Sequence, residues 1–171
     1  MNIVVLFGSP RPKGNTAAMV EAFAEGAKEA GHQVTVIDVA KKNIKGCLAC
    51  EYCHNKGNGV CIQKDDMQEI YPVINEAEVL VLASPVYYFT LSAQLQLPIQ
   101  RFYAIQYPQK VKKAVLLLSS HSPNVYDGAI RQFESIIGYC GFENAGIITA
   151  CEGENKTEAK MAEVKALAKS L

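Results

Sequence analysis

The stretch NIVVLFGSPRPKGNT, residues 2–16, decides the fold. Its first part, Asn2–Phe7, is a short apolar run rich in β-branched residues, which is typical of a strand buried on both faces. A polar loop, Gly8–Thr16, follows, and the next apolar residues, Val20 and Phe23, recur at helical spacing. The stretch therefore predicts a strand, a loop and a helix, the unit from which parallel α/β sheets are built.

The same alternation of strands and helices continues along the chain. Further strands are predicted at Gln33–Val39, Glu78–Ala83, Lys112–Ser119 and Glu143–Ala150, and helices are predicted up to about Asn75, from Ser92, over Tyr126–Tyr139 and from about Thr157. With 171 residues, 49% of them hydrophobic, the chain suits a single domain over residues 1–171. We expect a doubly wound, five-stranded parallel sheet with the flavodoxin-like strand order 2-1-3-4-5.

Two helix boundaries carry specific expectations. Asp65 with Gln68, or Asp66 with Glu69, resembles a capping box that opens the second helix. The helix after Ser92 contains Pro98, which removes a hydrogen bond and clashes with the previous turn. We therefore expect a kink or two short helical pieces there, with Pro98 in the first turn of the second piece.

Charge and hydropathy exclude several classes of partner. The 17 basic and 17 acidic side chains cancel, so a nucleic-acid partner is not indicated. Apolar runs such as Ala114–Leu118 are far too short to span a membrane. We expect a cytoplasmic protein with no membrane partner, in which clustered cysteines indicate metal or redox chemistry rather than disulfides.

The loop Gly8–Thr16 has the composition of a phosphate site. It lies between a strand and a helix N-terminus, where free N–H groups and the helix dipole favour an anion. It differs from a P-loop and from G-x-G-x-x-G, because five residues separate Gly8 from Gly14 and residue 10 is proline. Its residues suit a terminal phosphate monoester: short donors in Ser9, Asn15 and Thr16, positive charge in Arg11 and Lys13, and close backbone approach at Gly14.

This loop, GSPRPKGNT, resembles the FMN-phosphate loop of the NAD(P)H-dependent FMN reductases, a branch of the flavodoxin superfamily. SPVYY, residues 84–88, followed by LSAQL, residues 91–95, is similar to the second flavin loop of that family. The resemblance implies FMN, with its phosphate at Ser9, Arg11, Asn15 and Thr16. It implies further that the loop beginning at Ser84 lies along the isoalloxazine, which would be flanked by Pro85, Val86, Tyr87 and Tyr88. It also implies a homo-oligomer, a dimer or larger, which the aromatic residues between 87 and 107 weakly support.

A third loop, Ser119–Ser122, follows the fourth predicted strand and lies on the same rim of the sheet. Ser119 and His121 are candidates to reach the polar edge of a flavin. We predict no catalytic side chain, because hydride transfer between nicotinamide and flavin needs no protein acid in its key step.

A cysteine-rich loop, residues 46–64, is inserted after the second strand. It contains GCLACEYCHNKGNGVC, residues 46–61, with the spacing C-x2-C-x2-C-x7-C, and its candidate metal ligands are Cys47, Cys50, Cys53 and Cys61. Zinc prefers separated C-x2-C pairs, whereas two overlapping pairs fit corners of a 4Fe-4S cluster. The pattern also resembles the cysteine motif of the iron–sulfur flavoproteins. A zinc ion, with His54 as a further ligand, and an empty loop remain open.

Together these features predict an FMN-dependent NAD(P)H oxidoreductase. Electrons would pass from reduced nicotinamide, a co-substrate, through FMN to a small-molecule acceptor or a redox protein, with a 4Fe-4S cluster as a second centre if the cysteine loop holds one. The alternatives are a flavin electron carrier without enzymatic turnover and a zinc-stabilised flavin-binding module.

Overall fold

The predicted sheet is present in the computed structural model, which describes all 171 residues. The strands are β1 Asn2–Phe7, β2 Gln33–Asp38, β3 Val79–Tyr87, β4 Thr90–Leu91, β5 Lys113–Ser119 and β6 Glu143–Ala150. The α-helices are α1 Asn15–Glu29, α2 Tyr52–Asn55, α3 Met67–Asn75, α4 Ala93–Arg101, α5 Asp127–Cys140 and α6 Glu158–Lys169. None of these helices is long and apolar enough to span a membrane.

Five strands are parallel, in the order β2-β1-β3-β5-β6. This confirms the predicted order, because β5 and β6 are the fourth and fifth parallel strands along the chain. The sixth strand, β4, was not predicted, since two residues carry no periodic pattern; it pairs antiparallel with the end of β3. Strand β3 extends to Tyr87, beyond its predicted end at Ala83, because its last two residues, Val86 and Tyr87, pair with β4.

Apolar side chains pack on both faces of the sheet. Ile3 and Val5 of β1 belong to one cluster, with residues of α1 and α6, whereas Val4 and Leu6 belong to the other, with residues of α3, α4 and α5. Because each central strand is covered on both sides, its sequence lacks polar alternation. All four of these β1 side chains are at most 3% exposed.

The predicted division into two helical pieces, with Pro98 in the first turn of the second piece, is wrong. Helix α4 runs without interruption through Pro98 to Arg101, and a 3-10 segment, Phe102–Ile105, follows it. The side chain of Ser92 caps the helix by accepting from the Leu95 N–H. Leu95, Pro98 and Arg101 form a buried stripe, so tertiary packing offsets the lost hydrogen bond.

The predicted reciprocal capping box does not form, although α3 ends at Asn75 as expected and Asp65 Oδ1 accepts the N–H of Met67, the first residue of α3, at 3.2 Å. The side chain of the N-cap residue, Asp66, makes no capping hydrogen bond. Gln68 instead donates from Nε2 to the Gln63 carbonyl oxygen at 2.8 Å. The Asp65 carboxylate pairs with an arginine far along the chain, so long-range contacts compete successfully for these side chains.

Candidate functional site

The loop after β1 folds back on itself at the amino end of α1. The Arg11 N–H donates to Ser9 Oγ at 3.2 Å, and the Gly14 N–H donates to the Arg11 carbonyl oxygen at 3.1 Å. Helix α1 starts at Asn15, and no side chain caps it. The first N–H groups of a helix have no intrahelical acceptor, so this end is available to an anion.

Thr16 ties this loop to the end of β5. Its Oγ1 lies 2.7 Å from Ser119 Oγ, and the two residues are only 1% and 4% exposed. Strand β3 lies between β1 and β5 in the sheet. The hydrogen bond therefore crosses the carboxyl end of β3 and fixes the floor of the space above it.

Ser92 links the loops that follow β1 and β3. Its Oγ donates to the Gly8 carbonyl oxygen at 2.7 Å, and its N–H donates to Ser84 Oγ at 2.8 Å. Ser84 and Ser92 are both fully buried. A Cβ at position 8 would lie 2.7 Å from Leu95 Cβ and 2.8 Å from Ser92 Oγ, so this close approach requires glycine.

An aromatic turn connects β3 to β4. Tyr87 pairs with Thr90, and between them Tyr88 and Phe89 have φ values of +47° and +66°. Two consecutive left-handed residues are typical of a type I′ turn, in which Asn-Gly is preferred and larger side chains are strained. Tyr88 is 96% exposed, whereas Tyr87 is half-exposed and lines the cleft described below.

The loops after β5 and β6 are joined to each other. Asn155 Nδ2 donates to the Ser120 carbonyl oxygen at 2.9 Å, and His121 Nδ1 lies 3.2 Å from Glu152 Oε2 on the surface. Asn155 Oδ1 is buried and has no hydrogen-bond partner. Asn155 itself lines the cleft, so its side chain is a candidate ligand contact.

These four loops converge on one cleft of about 500 Å³, a volume typical of small-ligand sites. Most of the predicted flavin residues line it: Ser9, Arg11, Gly14, Asn15, Thr16, Pro85, Val86, Tyr87, Ser119 and His121. Three of the predicted residues do not line it: Lys13, Ser84 and Tyr88. Lys13 lines a neighbouring depression, and Tyr88 projects into solvent. Ser84 is buried, and its hydroxyl accepts the Ser92 N–H.

Four residues that line this cleft were not named as candidates: Ser120, which belongs to the predicted loop Ser119–Ser122, and Glu152, Gly153 and Asn155. Three of them follow β6, whose carboxyl end lies at the same edge of the sheet as those of β1, β3 and β5. That position was the available signal, because β6 itself was predicted with its observed bounds.

The cysteine loop, residues 46–64, is closed at its base. The Asp66 N–H donates to the Asn43 carbonyl oxygen at 3.1 Å, and the Asn43 N–H donates to Asp66 Oδ2 at 2.8 Å. Gln63 Nε2 donates to the Gly46 carbonyl oxygen at 2.9 Å. The two ends of the loop are therefore held together by the polypeptide itself.

The four cysteines of this loop line one small cavity, of about 20 Å³. Gly59, at φ +84°, donates its N–H to the Cys53 carbonyl oxygen at 2.8 Å, and this turn returns the chain towards the first three cysteines. Cys47 and Cys50 are exposed, and Cys53 is buried. Burial raises the pKa of the Cys53 thiol, and the neighbouring Cys61 thiol raises it further.

No three His, Cys, Asp or Glu side chains of the chain are grouped closely enough to hold a single metal ion. His54 lines a separate groove rather than the cysteine cavity. Its Nε2 donates to the Tyr103 carbonyl oxygen at 2.8 Å, and the two rings meet edge to face at 4.5 Å. The four thiols thus share one space without forming a closed tetrahedral ion site.

A buried ion pair lies beside the cysteine cavity. Arg101 Nη1 donates to Asp65 Oδ2 at 2.6 Å, and Nη2 donates to Oδ1 at 3.2 Å; the two side chains are 1% and 2% exposed. Burial by itself would raise the pKa of Asp65, but hydrogen bonds from Arg101 and from the Lys45 N–H outweigh it and hold that pKa below its usual value. Burial also raises the pKa of Tyr71, whose hydroxyl donates to the Arg101 carbonyl oxygen, to about 12.

A parallel sheet in this order, with a donor-rich cleft at its carboxyl edge, defines a flavodoxin-like protein. The chain belongs to the NADPH-dependent FMN reductase family, whose model matches residues 1–144. This confirms the family inferred from the two flavin-type loops, and it places the chain in a family of oxidoreductases.

The chain is similar to iron-sulfur flavoproteins of two archaea. One, from Archaeoglobus fulgidus, is 37% identical over 101 residues, which cover 59% of this chain and 45% of the relative. Another, from Methanocaldococcus jannaschii, is 37% identical over 101 residues, which cover 59% and 51%. The matched segments thus span about half the length of these relatives.

Solved structures confirm the fold. An NAD(P)H:quinone oxidoreductase from Methanothermobacter marburgensis aligns with a TM-score of 0.75 at 22% identity, over 99% of this chain and 95% of that one. An FMN-dependent NADH-azoreductase from Bacillus anthracis, in complex with FMN, aligns with a TM-score of 0.72 at 13% identity, over 99% and 98%. At these identities the likeness concerns the fold alone.

Proposed function

We propose that the cleft binds FMN and that the protein oxidises NAD(P)H, passing the electrons to a small-molecule acceptor or a redox protein. The observation that carries this proposal is the convergence of four strand-end loops on one cleft that includes the uncapped amino end of α1. FMN, when bound, supplies the chemistry of accepting a hydride and releasing electrons. The family membership supports the same conclusion.

The residues of the cleft divide into two groups by their chemistry. A polar group at the start of α1 would bind the phosphate through N–H, hydroxyl and guanidinium donors: Ser9, Arg11, Asn15 and Thr16. An apolar wall from the end of β3 would lie along the flat ring: Pro85, Val86 and Tyr87. Ser119, His121 and Asn155 would face its polar edge.

A comparison of FMN with riboflavin tests the phosphate site. Riboflavin lacks the phosphate, and charge-assisted hydrogen bonds contribute about 1.5–3 kcal/mol each, so FMN should bind at least roughly tenfold more tightly. Arg11→Gln should weaken FMN binding and leave riboflavin binding unchanged, as measured by quenching of flavin fluorescence. Arg131→Gln, on an exposed arginine outside the cleft, is the matched control. Equal affinity for the two flavins would contradict the proposal.

Steady-state oxidation of NADH and NADPH with a quinone or dye acceptor tests the activity. Turnover that depends on added FMN supports an oxidoreductase. A protein that binds FMN but does not turn over with either nicotinamide would be the flavin electron carrier instead.

We also propose that the cysteine loop binds a 4Fe-4S cluster, which supplies one-electron transfer when bound. Four thiols facing one cavity fit the ligand number, and the cluster relatives named above support the proposal. The cavity has the volume of about one water molecule, so the exposed residues Cys47 and Cys50 would have to move outward. Analysis of anaerobically purified protein decides this: iron with acid-labile sulfide supports the cluster, whereas one zinc per chain would identify the zinc-stabilised module.

A homo-oligomer and a cytoplasmic location complete the proposal. A groove of about 780 Å³, lined mostly by apolar residues, lies between the end of α4 and α5, and Tyr139 beside it is 81% exposed. Large apolar surfaces of this kind mark contact sites. Analytical ultracentrifugation of the wild type and of Tyr139→Arg tests it, because a charged residue at a subunit contact should shift the protein towards the monomer. The six free cysteines suit a reducing compartment.

A further inference from the structure

Arg101 makes contact with both ends of the cysteine loop. Its Nη1 donates to the Lys45 carbonyl oxygen at 2.9 Å, just before the loop begins. The same guanidinium holds the carboxylate of Asp65, just after the loop ends, and Asp65 Oδ2 in turn accepts the Lys45 N–H at 3.0 Å. One side chain thus joins the two ends of the loop that carries the cysteines.

One nitrogen of this guanidinium has no hydrogen-bond partner. Arg101 Nε is buried and has no hydrogen-bond partner, and a buried donor without an acceptor is unfavourable. Arg101 also lines the cavity that all four cysteines share. An acceptor for Nε–H is therefore expected on the side of that cavity.

Sulfur is the predominant acceptor of the cavity, because four of its eleven lining residues are cysteines. Three of its other polar side chains already take part in hydrogen bonds: the Tyr103 hydroxyl donates to Glu51 Oε1 at 2.8 Å, and Gln63 Nε2 donates to the Gly46 carbonyl oxygen. Apart from Arg101 itself, the other lining residues with a hydrogen-bonding side chain are the cysteines. A thiolate or an inorganic sulfide accepts an N–H hydrogen bond from a guanidinium, which cannot lose its proton.

We propose that Arg101 is a positioning residue for the cysteine site, which closes the loop at its base and donates its Nε–H to a sulfur atom of the group that the four cysteines hold. This proposal rests on the proposed 4Fe-4S cluster. It assigns a function to the buried pair beyond stability, because hydrogen bonds to sulfur are among the factors that set the reduction potential of such a cluster.

Arg101→Lys tests the proposal. Lysine keeps the positive charge beside Asp65 but cannot reproduce the fork and the additional N–H. After anaerobic reconstitution with iron and sulfide, the variant should still bind iron, and its midpoint potential should shift to a more negative value, since reduction adds negative charge that the N–H stabilises. Arg131→Lys, on the exposed arginine of α5, is the matched control and should leave the potential unchanged.

A second measurement uses the wild type and does not depend on the folding of a variant. The chain contains three arginines, Arg11, Arg101 and Arg131, and only Arg101 lines the cysteine cavity. Protein labelled with 15N-arginine should show a hyperfine coupling between the reduced cluster and one 15N nucleus. A water molecule in the cavity, bonded to Nε in place of sulfur, would give no such coupling.

The outcomes distinguish the two proposals. If the wild type binds no iron and sulfide, the proposed cluster fails and the role of Arg101 at it fails as well. If the wild type binds the cluster but shows no 15N coupling, and Arg101→Lys keeps the wild-type potential, Arg101 is purely structural and only the further inference is overturned. Coupling in the wild type, with a more negative potential in Arg101→Lys, supports both.

Discussion

Replacing Ser92 by alanine should uncouple the loops after β1 and β3. The hydroxyl is fully buried and donates to the Gly8 carbonyl oxygen at 2.7 Å, so its removal leaves a buried acceptor unpaired, which costs about 1–3 kcal/mol. It also accepts the Leu95 N–H at 3.4 Å, a long cap bond whose loss costs about 0.5 kcal/mol, the low end of the capping range. The free energy of unfolding should therefore fall by roughly 1.5–3.5 kcal/mol.

Urea and thermal unfolding measure this loss. For a domain of this size, about 1.5–3.5 kcal/mol corresponds to a decrease in Tm of roughly 3–14 °C. Ser135→Ala is the matched control, since its exposed hydroxyl bonds only within α5, to the Arg131 carbonyl oxygen, and its loss should stay within about 0.5 kcal/mol. FMN affinity should fall about tenfold in Ser92→Ala only. If both variants unfold alike, the Gly8 carbonyl does not depend on Ser92 and the argument is refuted.

Three further perturbations follow from the packing. Thr16→Val removes the hydroxyl that contacts Ser119 and faces the cleft, and it should weaken FMN binding roughly 10- to 100-fold in a fluorescence titration. Gly26→Ala would place a Cβ 2.6 Å from a carbonyl oxygen of α6 and should destabilise the fold by about 1–3 kcal/mol in urea, whereas Gly138→Ala, which meets nothing within 4 Å, should stabilise α5 by about 0.5–1 kcal/mol. The pKa of Asp65 is held below its ordinary value of 3.8 in the folded state, so its contribution to stability is fully present above pH 3.8 and is lost as the pH falls through the folded pKa. Asp65→Asn should therefore cost about 3 kcal/mol at pH 7 and flatten the loss of stability in acid, as measured by unfolding at pH 7 and below pH 4.

The sheet could be predicted because its strands are buried on both faces. Runs such as Ala114–Leu118 are apolar throughout, and no other element of a doubly wound fold gives that signal at that length. Most of the cleft followed from the same strands, because the loops at their carboxyl ends must meet. The loop after β6 was missed since its composition, with Glu152 and Gly153, is that of an ordinary turn.

Other features depend on contacts between distant residues. Nothing in the local sequence indicates that the Asp65 carboxylate, besides accepting the Met67 N–H at the start of α3, pairs with Arg101, 36 positions away. Pro98 is tolerated because its neighbours on the helix are buried, which local propensity does not report. The left-handed conformations of Tyr88 and Phe89 oppose local preference altogether, and such exceptions concentrate at functional sites.

The length of helix α4 constrains how the sequence of this protein can evolve. Ser92 stands at its start, against the floor of the cleft, and Arg101 stands at its end, against the cysteine cavity. At 1.5 Å per residue these two positions lie about 14 Å apart along the helix, and one inserted residue would turn one end by about 100° relative to the other. Substitutions on its surface leave that relation intact, but an insertion or deletion would misalign one site whenever the other was preserved. Both sites therefore require the length of α4 to stay constant during evolution.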